Sequence, residues 1–236
     1  MKENTALKNG ITSGLPICFG YFSVSFAFGI FAVGGGLNLF ETLMISMTNV
    51  TSAGQLAAVP IICGGGSFLE LALSQIIINL RYALMSIALS QKLSSDVKLK
   101  DKLIISFVNT DEVFAVAANQ KGSVGKRFLY GLIVTPYLGW SFGTFLGALA
   151  GDILPESLTS ALGIAIYAMF IAIVIPPSKK HKPTAICVIF AVALSLMFNF
   201  VPALKNIPGG FTVILCTLIA SVVMALLYPV DVEEGR

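Results

Sequence analysis

The sequence is poor in charge. Asp, Glu, Lys and Arg make up only 11% of its 236 residues, whereas 56% are hydrophobic. A soluble domain carries about a quarter charged residues, so this chain has too few to cover a surface in contact with water. We therefore expect an integral membrane protein whose main solvent is the lipid bilayer.

Residues that bind metals or activate nucleophiles are also scarce. The chain has one histidine and four cysteines, and the cysteines lie in or beside apolar segments without CxxC spacing, as buried inert thiols do. Gly139–Gly143 matches the GxSxG pattern of serine hydrolases, but it stands inside an apolar run, about forty residues from His181. The sequence thus predicts no enzyme, no metal and no cofactor. The net charge of +3 gives no reason to expect a nucleic-acid partner.

Apolar runs of about 20 residues, long enough to cross a bilayer as a helix, recur along the chain. The expected fold class is all-α: a polytopic membrane protein with about seven spanning helices plus one broken or re-entrant segment, Leu103–Asn119. Glycines and prolines in the first and fourth spans hint at two three-helix repeats. The whole chain, residues 1–236, is predicted to be a single transmembrane transporter domain. The candidate spans are Ile11–Val33, Glu41–Cys63, Ser67–Gln91, Phe128–Gly151, Leu158–Ile175, Thr184–Val201 and Gly210–Tyr228.

Small residues recur at every fourth position in the fourth candidate span. Gly139, Gly143 and Gly147 share one face of a helix, where the lack of a side chain lets a second helix approach closely. We therefore predict that this face packs against another helix.

Basic residues are concentrated in three short loops, which we expect to face the cytoplasm. Because two of these loops flank Leu103–Asn119, that segment is expected to enter and leave the membrane on one side. Lys2 and Lys8 favour a cytoplasmic N-terminus, which requires an earlier segment to turn back or Leu103–Asn119 to cross; both alternatives stay open. The loop residues are Lys92, Lys98, Lys100 and Lys102, then Lys121, Lys126 and Arg127, then Lys179, Lys180 and Lys182.

One full positive charge, Arg81, stands inside the third candidate span. It lies about ten residues from Lys92, or roughly 15 Å along a helix, and at that depth it needs a carboxylate or a wet cavity. Asp111 and Glu112 are the natural counter-charges, and one of them is the expected titrating group if transport is coupled to protons. A structural ion pair, direct contact with substrate or proton, and a shallower position are all open.

Polar side chains form two stripes on the same predicted helix. At 100° per residue, Glu70, Ser74 and Arg81 share one stripe. This much polarity suits a helix that borders a hydrated pocket better than one that faces lipid. The second stripe contains Gln75, Asn79, Tyr82 and Ser86.

A second polar stretch, TNVTSAGQ, interrupts the candidate span Glu41–Cys63. Its hydroxyl and amide side chains, among them Asn49, Ser52 and Gln55, could satisfy backbone groups of an unwound helix that binds substrate. They could equally bond neighbouring helices from a continuous helix.

Three stretches of the chain resemble signature segments of the AzlC family, in the expected order. The likeness covers essentially the full chain. In many members Phe-Ala-Gly precedes the glutamine of the first stretch, whereas Ser52-Ala53-Gly54 precedes Gln55 here. The stretches are TSAGQLAAV (Thr51–Val59), NLRYALMSIALSQKL (Asn79–Leu93) and TDEVFAVA (Thr110–Ala117).

The resemblance implies a secondary transporter of the bacterial cytoplasmic (inner) membrane. Members of the family export leucine, isoleucine, valine and sometimes methionine, together with a small hydrophobic AzlD-like membrane subunit. By motif position, Gln55, Asn79 and Arg81 are expected to bind the amino acid substrate. Asp111 and Glu112 are expected to form the ion pair or to couple protons.

Two other functions use the same buried charges. A channel or a carrier for another small solute or ion is the main alternative to an amino acid exporter. An ATP-driven permease subunit would require a coupling loop and an ATPase partner, and the short basic loops here do not suggest one.

Overall fold

The computed structural model describes residues 3–153, 171 and 174–229. Within these ranges the regular secondary structure is helical, apart from one isolated bridge between Leu93 and Val124. A short further helical segment covers residues 174–180. The named helices are α1 (Glu3–Gly34), α2 (Leu39–Thr48), α3 (Ala53–Cys63), α4 (Phe68–Ser90), α5 (Leu99–Phe107), α6 (Asp111–Ala118), α7 (Lys126–Ile153), α8 (Lys182–Phe200) and α9 (Gly209–Leu227).

Five helices of the described part are long and apolar enough to cross a membrane, namely α1, α4, α7, α8 and α9. Each corresponds to one predicted span, which confirms an all-helical, multi-pass membrane protein. Most of the candidate span Leu158–Ile175 lies outside the described residues. The two three-helix repeats and the single transporter domain stay predictions.

Of the two alternatives for the candidate span Glu41–Cys63, the structure has the interrupted helix and not the continuous one. The span consists of two short helices, α2 and α3, separated by residues 49–52. Asn38 starts α2 with a reciprocal capping box to Glu41. The polar side chains at the break explain its position, because Asn, Ser and Thr compete with the helical hydrogen bonds of the backbone.

The segment Leu103–Asn119 is broken, as the sequence predicts. Helix α5 ends at Phe107 and α6 begins at Asp111, so residues 108–110 separate them. Acidic residues at positions 111 and 112 occupy the first turn of α6, where the positive end of the helix dipole favours negative charge.

The chain divides into two compact units, and unit 1 comprises Met1–Val59 and Ile78–Ile166. Its most extensive helix pair in the described part is α1 with α7. A Cβ atom on Gly139 would lie 2.6 Å from the carbonyl oxygen of Cys18, and one on Gly143 would lie 2.5 Å from that of Phe22. The close packing predicted for this glycine face is therefore confirmed, and Gly147 lies against Phe26 in the same way.

Unit 2 comprises Pro60–Ile77 and Tyr167–Arg236. Its described helices include α8 and α9, which pack against each other. The start of α4 also belongs to it, so this single helix continues from unit 2 into unit 1.

Candidate functional site

The break between α2 and α3 frees backbone groups inside unit 1. Asn49 ends α2, and its side-chain oxygen accepts a hydrogen bond of 2.9 Å from the Thr51 hydroxyl. Ser52 has a φ of 52°, a left-handed conformation that is uncommon for residues other than glycine. Its carbonyl then accepts the Leu56 N–H and so begins α3. Thr51 lies between the two helices, within the break.

The break between α5 and α6 is held against α4. Asn109, only 3% exposed, donates a hydrogen bond of 3.1 Å from its side-chain amide to the Ser86 hydroxyl. Thr110 is also buried, and its carbonyl accepts the Phe114 N–H at the start of α6. These bonds fix the place at which the acids of α6 begin.

Arg81 forms an ion pair with Asp111. Its Nη1 atom lies 2.9 Å from Asp111 Oδ2, and the two side chains are 49% and 45% exposed. The Nη2 group donates to the Tyr82 hydroxyl at 3.1 Å, and the guanidinium carbon lies 4.9 Å from the centre of the Tyr82 ring, within the range of a cation–π contact. The pair is thus about half exposed, and the Tyr82 ring contacts its guanidinium group.

The two helix breaks are joined through tyrosines. The Tyr82 hydroxyl donates to the Thr51 carbonyl at 3.4 Å, which connects the Arg81 pair to the first break. In the middle of α1, the buried Tyr21 hydroxyl is hydrogen bonded to Glu112 Oε2 and to the Thr110 hydroxyl. Glu112 therefore binds a different group from Asp111, as expected for adjacent residues that point about 100° apart on a helix.

Aromatic packing fixes Tyr21. Its ring lies edge to face with Trp140 of α7, with centroids 5.1 Å apart, and both contact Val50 in a small apolar cluster. Because Val50 belongs to the first break and Thr110 to the second, Tyr21 contacts both. In addition, the Tyr137 hydroxyl donates to the carbonyl of Met47, at the end of α2.

Gln55 is the most enclosed of the predicted binding residues. Its side chain is completely buried in the first turn of α3, and neither amide atom has a hydrogen-bond partner among the described residues. A buried amide without partners costs free energy, so this position suits a polar ligand or water. Asn79 is half-buried on α4, while Asn49 and Ser52 form the break itself.

The sequence analysis did not predict Tyr21, Thr110 and Trp140 as members of this site. An aromatic residue in an apolar run is typical of the core or the lipid face. The usable signal is the hydroxyl of Tyr21 at mid-span, because a buried tyrosine hydroxyl normally finds a polar partner. The described residues contain no cluster of three or more His, Cys, Asp or Glu side chains able to hold a metal ion.

Comparisons with known proteins identify the family. The family model described as AzlC protein matches residues 16–154. An uncharacterized membrane protein of Archaeoglobus fulgidus is 34% identical over 83% of this chain and 86% of its own length. Inner membrane protein YgaZ of Escherichia coli is 26% identical over 79% of this chain and 78% of its own length. No solved structure matches the chain significantly. The match to the family model spans both helix breaks and the Arg81–Asp111 pair, and the chain belongs to the AzlC protein family.

Proposed function

We propose that this membrane protein is a secondary transporter that exports branched-chain or similar apolar amino acids across the bacterial cytoplasmic membrane. One observation carries the proposal: two helix breaks and the Arg81–Asp111 ion pair lie together in unit 1. Interrupted helices at membrane depth are tolerated where they line a cavity or bind a solute.

The charges of the site complement an amino acid zwitterion. The half-exposed guanidinium of Arg81 keeps donors for a carboxylate, a geometry that suits a paired hydrogen bond. The carboxylates of Asp111 and Glu112 are the corresponding partners for an ammonium group. Gln55 would supply a further donor and acceptor, and the rings of Tyr21 and Tyr82 would contact an apolar side chain.

Leucine counterflow tests this function in proteoliposomes that contain the chain together with any small membrane protein that co-purifies with it. Vesicles loaded with unlabelled leucine are expected to take up external labelled leucine transiently and saturably, because a carrier exchanges one bound solute for another. Glutamate and lysine serve as controls, since a site for apolar side chains should exclude both. An ohmic current without saturable exchange would instead identify a channel. Absence of both exchange and current would refute the proposal.

We further propose that a small hydrophobic subunit of the AzlD type covers part of the site. Arg81 and Asp111 are about half exposed in this chain alone, and charged groups at membrane depth do not face lipid without a large free-energy cost. A small membrane protein is therefore expected to co-purify with the chain from its native host. Full export activity of the chain reconstituted alone would contradict this.

A further inference from the structure

A further acidic residue is buried in unit 2. Glu70 occupies the first turn of α4 and is 4% exposed. Its Oε1 atom accepts the backbone N–H of Gly210, at the start of α9, at 2.8 Å. Its own backbone N–H donates to the Ser67 hydroxyl at 3.1 Å. This carboxylate therefore joins the beginnings of two apolar helices.

Both oxygens of this carboxylate lie against glycine backbone. A Cβ atom on Gly210 would lie 2.6 Å from Glu70 Cγ and 2.7 Å from Oε1. One on Gly66 would lie 3.0 Å from Oε2. A larger residue at position 210 would therefore displace the Glu70 side chain from its present position.

No basic side chain in the described part of the chain forms an ion pair with this buried acid. Its neighbours come from the end of α3, the turn at residues 64–66, α4 and the start of α9. Segments 60–77 and 206–229 contain no charged side chain other than Glu70. Among the described residues, none of the basic groups of unit 2 forms an ion pair with it; these groups are Lys179, Lys180, His181, Lys182 and Lys205.

Within the described residues, this acid accepts a backbone hydrogen bond but has no cationic partner. Ionised carboxylates buried away from cations are costly, and inside membrane proteins they commonly mark proton pathways. We propose that Glu70 is the proton-binding site that couples transport to the transmembrane proton gradient. This inference rests on the proposed transport function but assigns the coupling to a residue separate from Asp111 and Glu112.

The coupling step is a single protonation. One proton adds to the carboxylate and gives the neutral acid, and it leaves on the opposite side of the membrane when the acid ionises again. Neutralisation weakens the bond from Gly210, because hydrogen bonds to a charged acceptor are stronger than those to a neutral one. Glu70 precedes Arg81 by eleven residues on the continuous helix α4, which places both on the same helix stripe.

Glu70→Gln separates coupling from substrate exchange. In proteoliposomes with an acidic lumen, wild-type protein is expected to accumulate labelled leucine as protons leave. The variant should lose roughly tenfold or more of this gradient-driven accumulation while its counterflow stays within about threefold of wild type. Glu70→Asp keeps a titratable group and should retain part of the accumulation. Glu41→Gln, which removes an exposed acid from α2, should change neither activity.

Two outcomes would overturn the assignment. Either Glu70→Gln accumulates leucine as wild type does, or it loses counterflow and accumulation equally, as a purely structural residue would. A measurement without substrate keeps this test independent of the proposed function. On acidification, infrared difference spectra of the purified protein should show a protonated carboxyl band that is absent from Glu70→Gln and present in Glu41→Gln. Persistence of that band in Glu70→Gln also refutes the proposal, whereas absence of leucine counterflow in wild type refutes only the transport function.

Discussion

Arg81→Ala is expected to reduce leucine binding and counterflow by about thirtyfold, because loss of a charged hydrogen-bond donor costs about 2 kcal/mol. The change removes the donors proposed for the substrate carboxylate and leaves Asp111 without its cation. Arg81→Lys keeps the charge but loses the planar fork of the guanidinium. Its activity should therefore lie between that of wild type and that of Arg81→Ala. Counterflow rates and equilibrium binding of labelled leucine measure the effect.

A second substitution distinguishes substrate binding from a purely structural ion pair. If the pair serves only packing, Arg81→Ala/Asp111→Ala should recover much of the lost activity, since the uncompensated carboxylate is gone. If Arg81 binds substrate, the double variant stays as impaired as Arg81→Ala. Arg127→Ala, which removes an arginine at the start of α7, is the matched control and should retain activity. Normal binding in Arg81→Ala would exclude Arg81 from the site.

Gly147→Ala is expected to destabilise the protein by about 1–3 kcal/mol, the usual cost of overpacking a close contact. The added methyl group would overlap the carbonyl of Phe26, which belongs to the backbone of α1 and cannot rotate away. The free energy of unfolding, or the midpoint of thermal unfolding in detergent, should fall accordingly.

Gly20→Ala supplies the matched control for this substitution. Gly20 also lies in a long helix, α1, but a Cβ atom there would meet nothing within 4 Å. Alanine should therefore be neutral or stabilise by about 0.5–1 kcal/mol, as it does in other helix interiors. Equal shifts for both variants would show that helix propensity, not contact between α1 and α7, determines the effect of Gly147.

Long helices could be predicted from the sequence because their apolar runs match the thickness of a bilayer. The bounds of α4, α7, α8 and α9 agree with the predicted spans to within about two residues, whereas α1 begins at Glu3, well before the predicted Ile11. Short helices are harder to predict, because hydropathy alone does not distinguish one continuous span from two half-helices. Residues 49–52 lie inside an apolar run, and their side chains could bond either the backbone or another helix. The decisive feature is the left-handed backbone of Ser52. The sequence does not indicate it, because the residue is not glycine, the usual residue in that conformation.

The sequence predicted the charges of the candidate site and its polar stretch around Gln55, but not how the charges pair. A buried arginine requires a counter-charge, which indicated the acids at 111 and 112 but not which of them faces it. That choice depends on how α6 is oriented by Thr110 and Asn109, and it places Asp111 against Arg81 and Glu112 against Tyr21. The sequence predicts Glu70 only as a member of a polar stripe. Its partner is a backbone N–H, and since every residue except proline has one, the sequence cannot indicate which of them it is.

The glycine contact between α1 and α7 has a consequence for biosynthesis. The two helices are separated by about ninety residues of nascent chain, and α1 is made first. Until α7 has followed it into the bilayer, the face of α1 that meets the glycines of α7 lacks that contact, and lipid cannot supply contacts as close as those of a second helix. Chains interrupted before Lys126 should consequently be short-lived in the cell, and the quality-control proteases of the membrane would determine how long they last.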